Sequence, residues 1–203
     1  GYIRGARFMP PQIMIVPLVH ILQAPGLNPQ SRALAVDSLS AMDLSSLRRV
    51  LPALIKALDG SEVDDALRLE IGAVLAKHGD GSISPQVLDL TQHRLAAVRR
   101  AAVRVLKALA ARGQGVPPEI VTNRLYLLLE DAERSVRTDA LLALLAMRDD
   151  YAAQIVSDYV KAGDAETVAQ VLQGVDRPLT RETFRLAMEM LRMDSQPVQE
   201  GLR

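Results

Sequence analysis

The chain has 203 residues, 49% of them hydrophobic, 24% charged and 3% aromatic, which excludes disorder by composition and leaves enough apolar side chain for a substantial core. Lysine and arginine total 24 and so do aspartate and glutamate, so no global field draws in nucleic acid or an anionic membrane. There is no cysteine, which excludes disulfide staples, thiolate metal sites and a cysteine nucleophile.

Residues 1–10 read as an N-terminal extension. The first apolar run, "IMIVPLVHIL" at 13–22, is about half a membrane span and contains Pro17 and His20, so it is not a transmembrane helix. Pro17 is expected to open a helix, because proline's missing N–H costs nothing in a first turn. Asn28-Pro29 then places a capping side chain before a second helix carrying Arg32, Ala35 and Leu39. This makes a first unit at 11–42. The second, at 43–79, repeats the order: Pro52 opens "LPALIKAL", Ser61 and Asp64 have capping-box spacing, Arg68, Ile71 and Leu75 follow, and Gly79 suits a left-handed C-cap.

The third unit, 82–113, has Ser84-Pro85 as cap and helix start, then Arg99, Ala102 and Leu106, then Gly113 as another left-handed C-cap. Its second helix carries a stripe of Val98, Ala102, Val105 and Leu109, with Arg100, Arg104 and Lys107 on the opposite, solvated side. The fourth, 117–148, opens at Pro118 and carries Arg137, Ala140 and Leu144. The prolines are spaced by 35, 33 and 33 residues and the arginines by 36, 31 and 38. Two markers that keep step four times identify a repeat. Segments at 150–175 and 177–203 depart from the pattern, as terminal units do when they must cover an outer face. Abundant Ala, Leu and Arg with few β-branched runs make every element helical, so the fold class is all-α.

A unit of about 34 residues, with proline opening its first helix and Val/Leu-Arg-x-x-Ala/Ile opening its second, resembles the HEAT repeat, with armadillo and phycobilisome-lyase-like repeats as relatives. "AVRRAAVRVL" and "SVRTDALLAL" carry the resemblance best, and nothing after residue 149 carries it. It implies a right-handed α-solenoid of about five to six helix pairs. It also implies that Arg32, Arg68, Arg99 and Arg137 tie their turns to an acidic residue or to helix-end carbonyls, with Asp131 a candidate partner of Arg137. Ala35, Ile71, Ala102 and Ala140 are the positions where the paired helices approach.

Candidates for chemistry are few. His20, His78 and His93 fall in separate units, and none precedes a glutamate as in the metal-dependent hydroxylases of this repeat class. His20 is expected to be packed and hydrogen-bonded, His78 to lie near a helix C-terminus and His93 at the surface. "HGDGS" at 78–82 lacks the spaced acids of a calcium loop and reads as an inter-unit turn. No catalytic residue, cofactor or metal ligand is assigned. Between Thr91 and Ala140 nine cations face five acids, a mild excess with almost no aromatics, which disfavours nucleic acid. In the last segment Phe184, Ala187, Met188 and Leu191 form a core stripe, with Leu186, Met190 and Met193 off it.

The expected function is a non-catalytic protein-interaction scaffold or regulatory arm. Because the chain opens on Gly1, it reads as a fragment of a larger protein. The candidate partner surface is Arg100, Arg104, Lys107, Arg134 and Asp139, and no direct membrane insertion is expected. The alternative is a nucleic-acid-binding module using the basic face around residues 94–137.

Overall fold

The structure, a computed structural model, describes residues 11–24, 26–42, 47–60, 63–162, 169 and 171. The predictions for residues 1–10 and for the Phe184–Met193 stripe lie outside them, as does all of the 150–175 segment but its first helix and residues 169 and 171. Among the described residues there are nine α-helices and one 3-10 turn, and no strand. In chain order they are α1 Pro11–Gln23, α2 Pro29–Ser40, α3 Leu51–Leu58, α4 Asp65–His78, the 3-10 turn Gly81–Ile83, α5 Ser84–Leu90, α6 Ala96–Ala111, α7 Pro118–Leu128, α8 Arg134–Ala146 and α9 Asp150–Ala162. The chain is all-α.

Helices pack in two ways. Within each unit the first helix lies on the second: α1 on α2, α3 on α4, α5 on α6, α7 on α8. Between units the second helices lie on one another in order, α2 on α4, α4 on α6 and α6 on α8. The predicted stripe faces these contacts, with Val98, Ala102, Val105 and Leu109 buried on α6, and Leu106 and Leu144 buried across it. Ala35, Ile71, Ala102 and Ala140 are all essentially inaccessible. The tightest approach involves a glycine. A Cβ on Gly72 of α4 would stand 2.7 Å from the Cβ of Ala101 on α6, so only glycine permits the observed separation.

Helix ends follow the local chemistry, with four departures. Asn28 caps α2 as predicted, accepting from the Gln30 N–H at 2.8 Å. Asp64 caps α4, accepting from the Leu67 N–H, so it occupies the cap position and not the third helical residue of a capping box; Ser61 lies outside the described residues. Pro17 lies inside α1, which begins six residues earlier at Pro11. Its ring is exposed, so the carbonyl that loses its intrahelical donor lies toward solvent. Ser84 is the first residue of α5, and its buried Oγ caps nothing. Gly79 is extended, with φ −63° and ψ 149°; it is glycine because a Cβ would strike the Leu75 carbonyl and the Ile83 side chain.

Gly113 does adopt the left-handed form, φ 65°, with Gln114 N–H on Leu109 O and Gly113 N–H on Ala110 O closing α6. The same closure ends α8 with Arg148 at φ 61°, an arginine in a region that favours glycine.

Candidate functional site

The four repeated arginines all donate to the turn that precedes their own helix. Arg32 Nη2 reaches Ala24 O at 2.7 Å. Arg68 reaches Leu58 O and Gly60 O, each at 2.9 Å, and the Asp65 carboxylate. Arg99 Nη1 holds His93 O and Arg94 O, and Arg137 Nη1 holds Asp131 O and Ala132 O. A buried turn leaves carbonyls that need donors, and a guanidinium satisfies several at once while staying charged. Each arginine thus commits at least one nitrogen to its own turn.

The acidic partner of the fourth arginine is not the one expected. The Asp131 carboxylate is gripped by Arg99 of the preceding unit, Nε and Nη2 each at 2.7 Å, and Arg137 takes only the Asp131 backbone oxygen. Both charged side chains are largely buried, 13% and 8% exposed. Burial alone would push the Asp131 carboxyl up. Hydrogen bonds from Arg99 and the Glu133 N–H, with the charges of Arg99 and Arg137, reverse this and hold it below the ordinary carboxylate value.

The five candidate surface residues do not make one surface. Arg100 and Arg104 reach across from α6 to Asp139 on α8, at 2.8 Å and 3.6 Å. Arg100, Arg104 and Lys107 are of intermediate exposure, and Asp139 answers the charges of Arg100 and Arg104. Arg134 lies elsewhere, in the wall of a cleft.

Similar polar links join the other units. Lys77 Nζ and His78 Nε2 donate to Ser40 O at the end of α2, and Arg112 donates to Ala76 O and Gly79 O at the end of α4. The Lys77 and Arg112 cations at these C-terminal carbonyls are favoured by the helix dipole. His93 is half-buried and its Nε2 meets Asp59 at 2.9 Å, while His20, expected to be packed, is exposed. In "HGDGS", Asp80 caps the 3-10 turn through Ser82 and binds Arg48 at 2.6 Å. Those bonds, the Ser82 hydroxyl and N–H first, hold its carboxyl below the ordinary value against partial burial.

This cleft, about 1020 Å³ in volume, lies between α7, α8 and α9. Tyr126 and Leu129 come from α7, Arg134, Arg137, Thr138 and Leu141 from α8, and Tyr151, Ile155 and Tyr159 from α9, with Glu130 and Asp158 also on its wall. Three of the chain's four tyrosines meet here. Tyr126 and Tyr151 pack edge to face with centroids 5.7 Å apart. Tyr126 donates its hydroxyl to Asp149 at 2.6 Å, and Asp149 also caps α9 through the Ala152 N–H. The bond to the Asp149 carboxylate, then partial desolvation and the nearby charge, push the Tyr126 phenol up to about 12. Sequence patterning missed this cleft, because Tyr126 and Tyr159 come from different units and share no periodicity.

Among the described residues no three or more His, Cys, Asp or Glu side chains converge as a metal site, and no helix is long and apolar enough to cross a membrane. No protein-family model matches the sequence, and no curated protein is significantly similar to it.

Proposed function

We propose that this chain is a HEAT-like, right-handed α-solenoid of about five to six helix pairs that serves as a non-catalytic protein-interaction scaffold or regulatory arm. Two repeated features support the architecture. Second helices pack on one another in chain order, and each carries an arginine that closes the turn before it. Such an array spreads a preformed wall along its length, so a partner binds with little ordering cost.

The observation that carries the interaction reading is the cleft, where tyrosine and arginine side chains gather in a chain otherwise nearly free of aromatics. These are the residue types that dominate binding energy at protein interfaces. The nucleic-acid alternative is weakened because Arg100 and Arg104, the centre of the basic face, are paired with Asp139.

A photo-crosslinking residue in place of the exposed Tyr151 tests the reading. The same identified protein should be captured reproducibly from a lysate of the source organism, and capture should fall when Tyr159→Ala is added. Retention on DNA or RNA at low salt, with capture unaffected by Tyr159→Ala, would overturn it.

A further inference from the structure

We infer that Arg137 makes the α7–α8–α9 cleft a docking site for a protein segment bearing one carboxylate beside apolar residues; this rests on the scaffold reading and names its ligand. The chain supplies its own template. Arg99 and Arg137 hold the same position in successive units, and each spends Nη1 on the two carbonyls of its own turn. In Arg99 the remaining edge, Nε and Nη2, grips the Asp131 carboxylate with two 2.7 Å bonds. In Arg137 the same edge donates to no described residue, and this side chain lies in the cleft wall.

A guanidinium stays charged at any accessible pH, and a carboxylate meeting the Nε–Nη2 edge in plane is the partner its geometry matches best. The rest of the cleft defines what accompanies that carboxylate. Tyr126, Tyr159 and Ile155 offer aromatic and aliphatic walls, and the volume of about 1020 Å³ suits a few side chains. Glu130 and Asp158 also line it, and Asp158 is already engaged by Gln154 and Lys161. A polyacidic tract is therefore disfavoured; one acid followed by apolar residues fits.

The test selects peptides from a random display library on the full 203-residue chain. Bound sequences should share one Asp or Glu next to apolar residues. A selected peptide with its Asp replaced by Asn should bind about tenfold or more weakly, by fluorescence polarisation, with the protein itself untouched. On Arg137→Gln the two peptides should bind alike, because no charge then faces the acid; on Tyr159→Ala both should weaken. Selected peptides without an acid, or an Asn peptide that binds as well as the Asp one, would overturn the carboxylate assignment and leave the scaffold reading standing. Failure of both peptide selection and Tyr151 crosslinking would remove both. Asp164 follows α9 in sequence much as Asp131 follows α7. Strong coupling of Arg137→Lys with Asp164→Asn in a thermal double-mutant cycle would assign the arginine to the chain itself and overturn the proposal.

Discussion

Replacing Gly72 by alanine sets two effects of opposite sign against each other. In an isolated helix the change stabilises by about 1 kcal/mol, because glycine loses more backbone freedom on folding. Here the new methyl would lie 2.7 Å from the Ala101 Cβ and 3.1 Å from its Cα. Neither is the end of a flexible chain, so α4 and α6 must part by roughly 0.7 Å to reach ordinary contact. Overpacking of this kind costs about 1–3 kcal/mol. We expect Gly72→Ala to be destabilised by about 1 kcal/mol net and Gly72→Val by about 3 kcal/mol, since valine gains less propensity and clashes more. Urea unfolding with an unchanged slope is the assay, and Ala101→Gly in the Gly72→Ala background should recover part of the loss. A Gly72→Ala variant more stable than wild type by the full helix-propensity gain would mean that α4 and α6 are not in contact.

Ala140→Asp should cost about 3 kcal/mol or more, read by thermal melting, because Ala140 is fully buried and an unpaired carboxylate there has no outlet. Asp131→Ala should cost about 3 kcal/mol by removing one partner of a buried pair. Since the Asp131 carboxyl is held below its ordinary 3.8, its contribution is complete above that pH and is lost as pH falls through the lower folded value. Wild type should therefore lose its advantage over Asp131→Ala in that acid range; a constant difference would show that the carboxylate is not specially stabilised. For Tyr126 the sign is opposite: its contribution is intact below pH 10 and fades toward about 12. Tyrosinate absorbance should show one late-titrating phenol that disappears in Tyr126→Phe.

What could be read from the sequence was what lies along single helices. The apolar stripe of Val98, Ala102, Val105 and Leu109 and the small positions at Ala35, Ala102 and Ala140 follow from a 3.6-residue period and are buried as expected. The role of the four arginines at their own turns came from the resemblance to the HEAT repeat, not from periodicity, and the bonds to turn carbonyls agree with it. Contacts between units were not legible, because no local period links Arg99 to Asp131 or Arg100 to Asp139 across 32 and 39 residues. The pairing of the Asp131 carboxylate with Arg137 that the resemblance implies gives way to Arg99 for that reason. Pro17 and Gly79 show a different limit: proline tolerates an exposed helix interior, and glycine can be needed for space as well as for a positive φ. The cleft required three tyrosines to converge from two units, which only the packing of α7, α8 and α9 brings about.

The most direct test of stacked units measures spacing along the array. The chain has no cysteine, so spin labels can be placed on cysteine pairs joining Gln30 with Ala66, with Arg94 or with Glu133, all exposed at or near the starts of successive second helices. Adjacent packed helices lie about 8–10 Å apart, so dipolar EPR should give separations rising by roughly that step from the first pair to the third. A Gln30–Glu133 distance no longer than that for Gln30–Ala66 would contradict the solenoid.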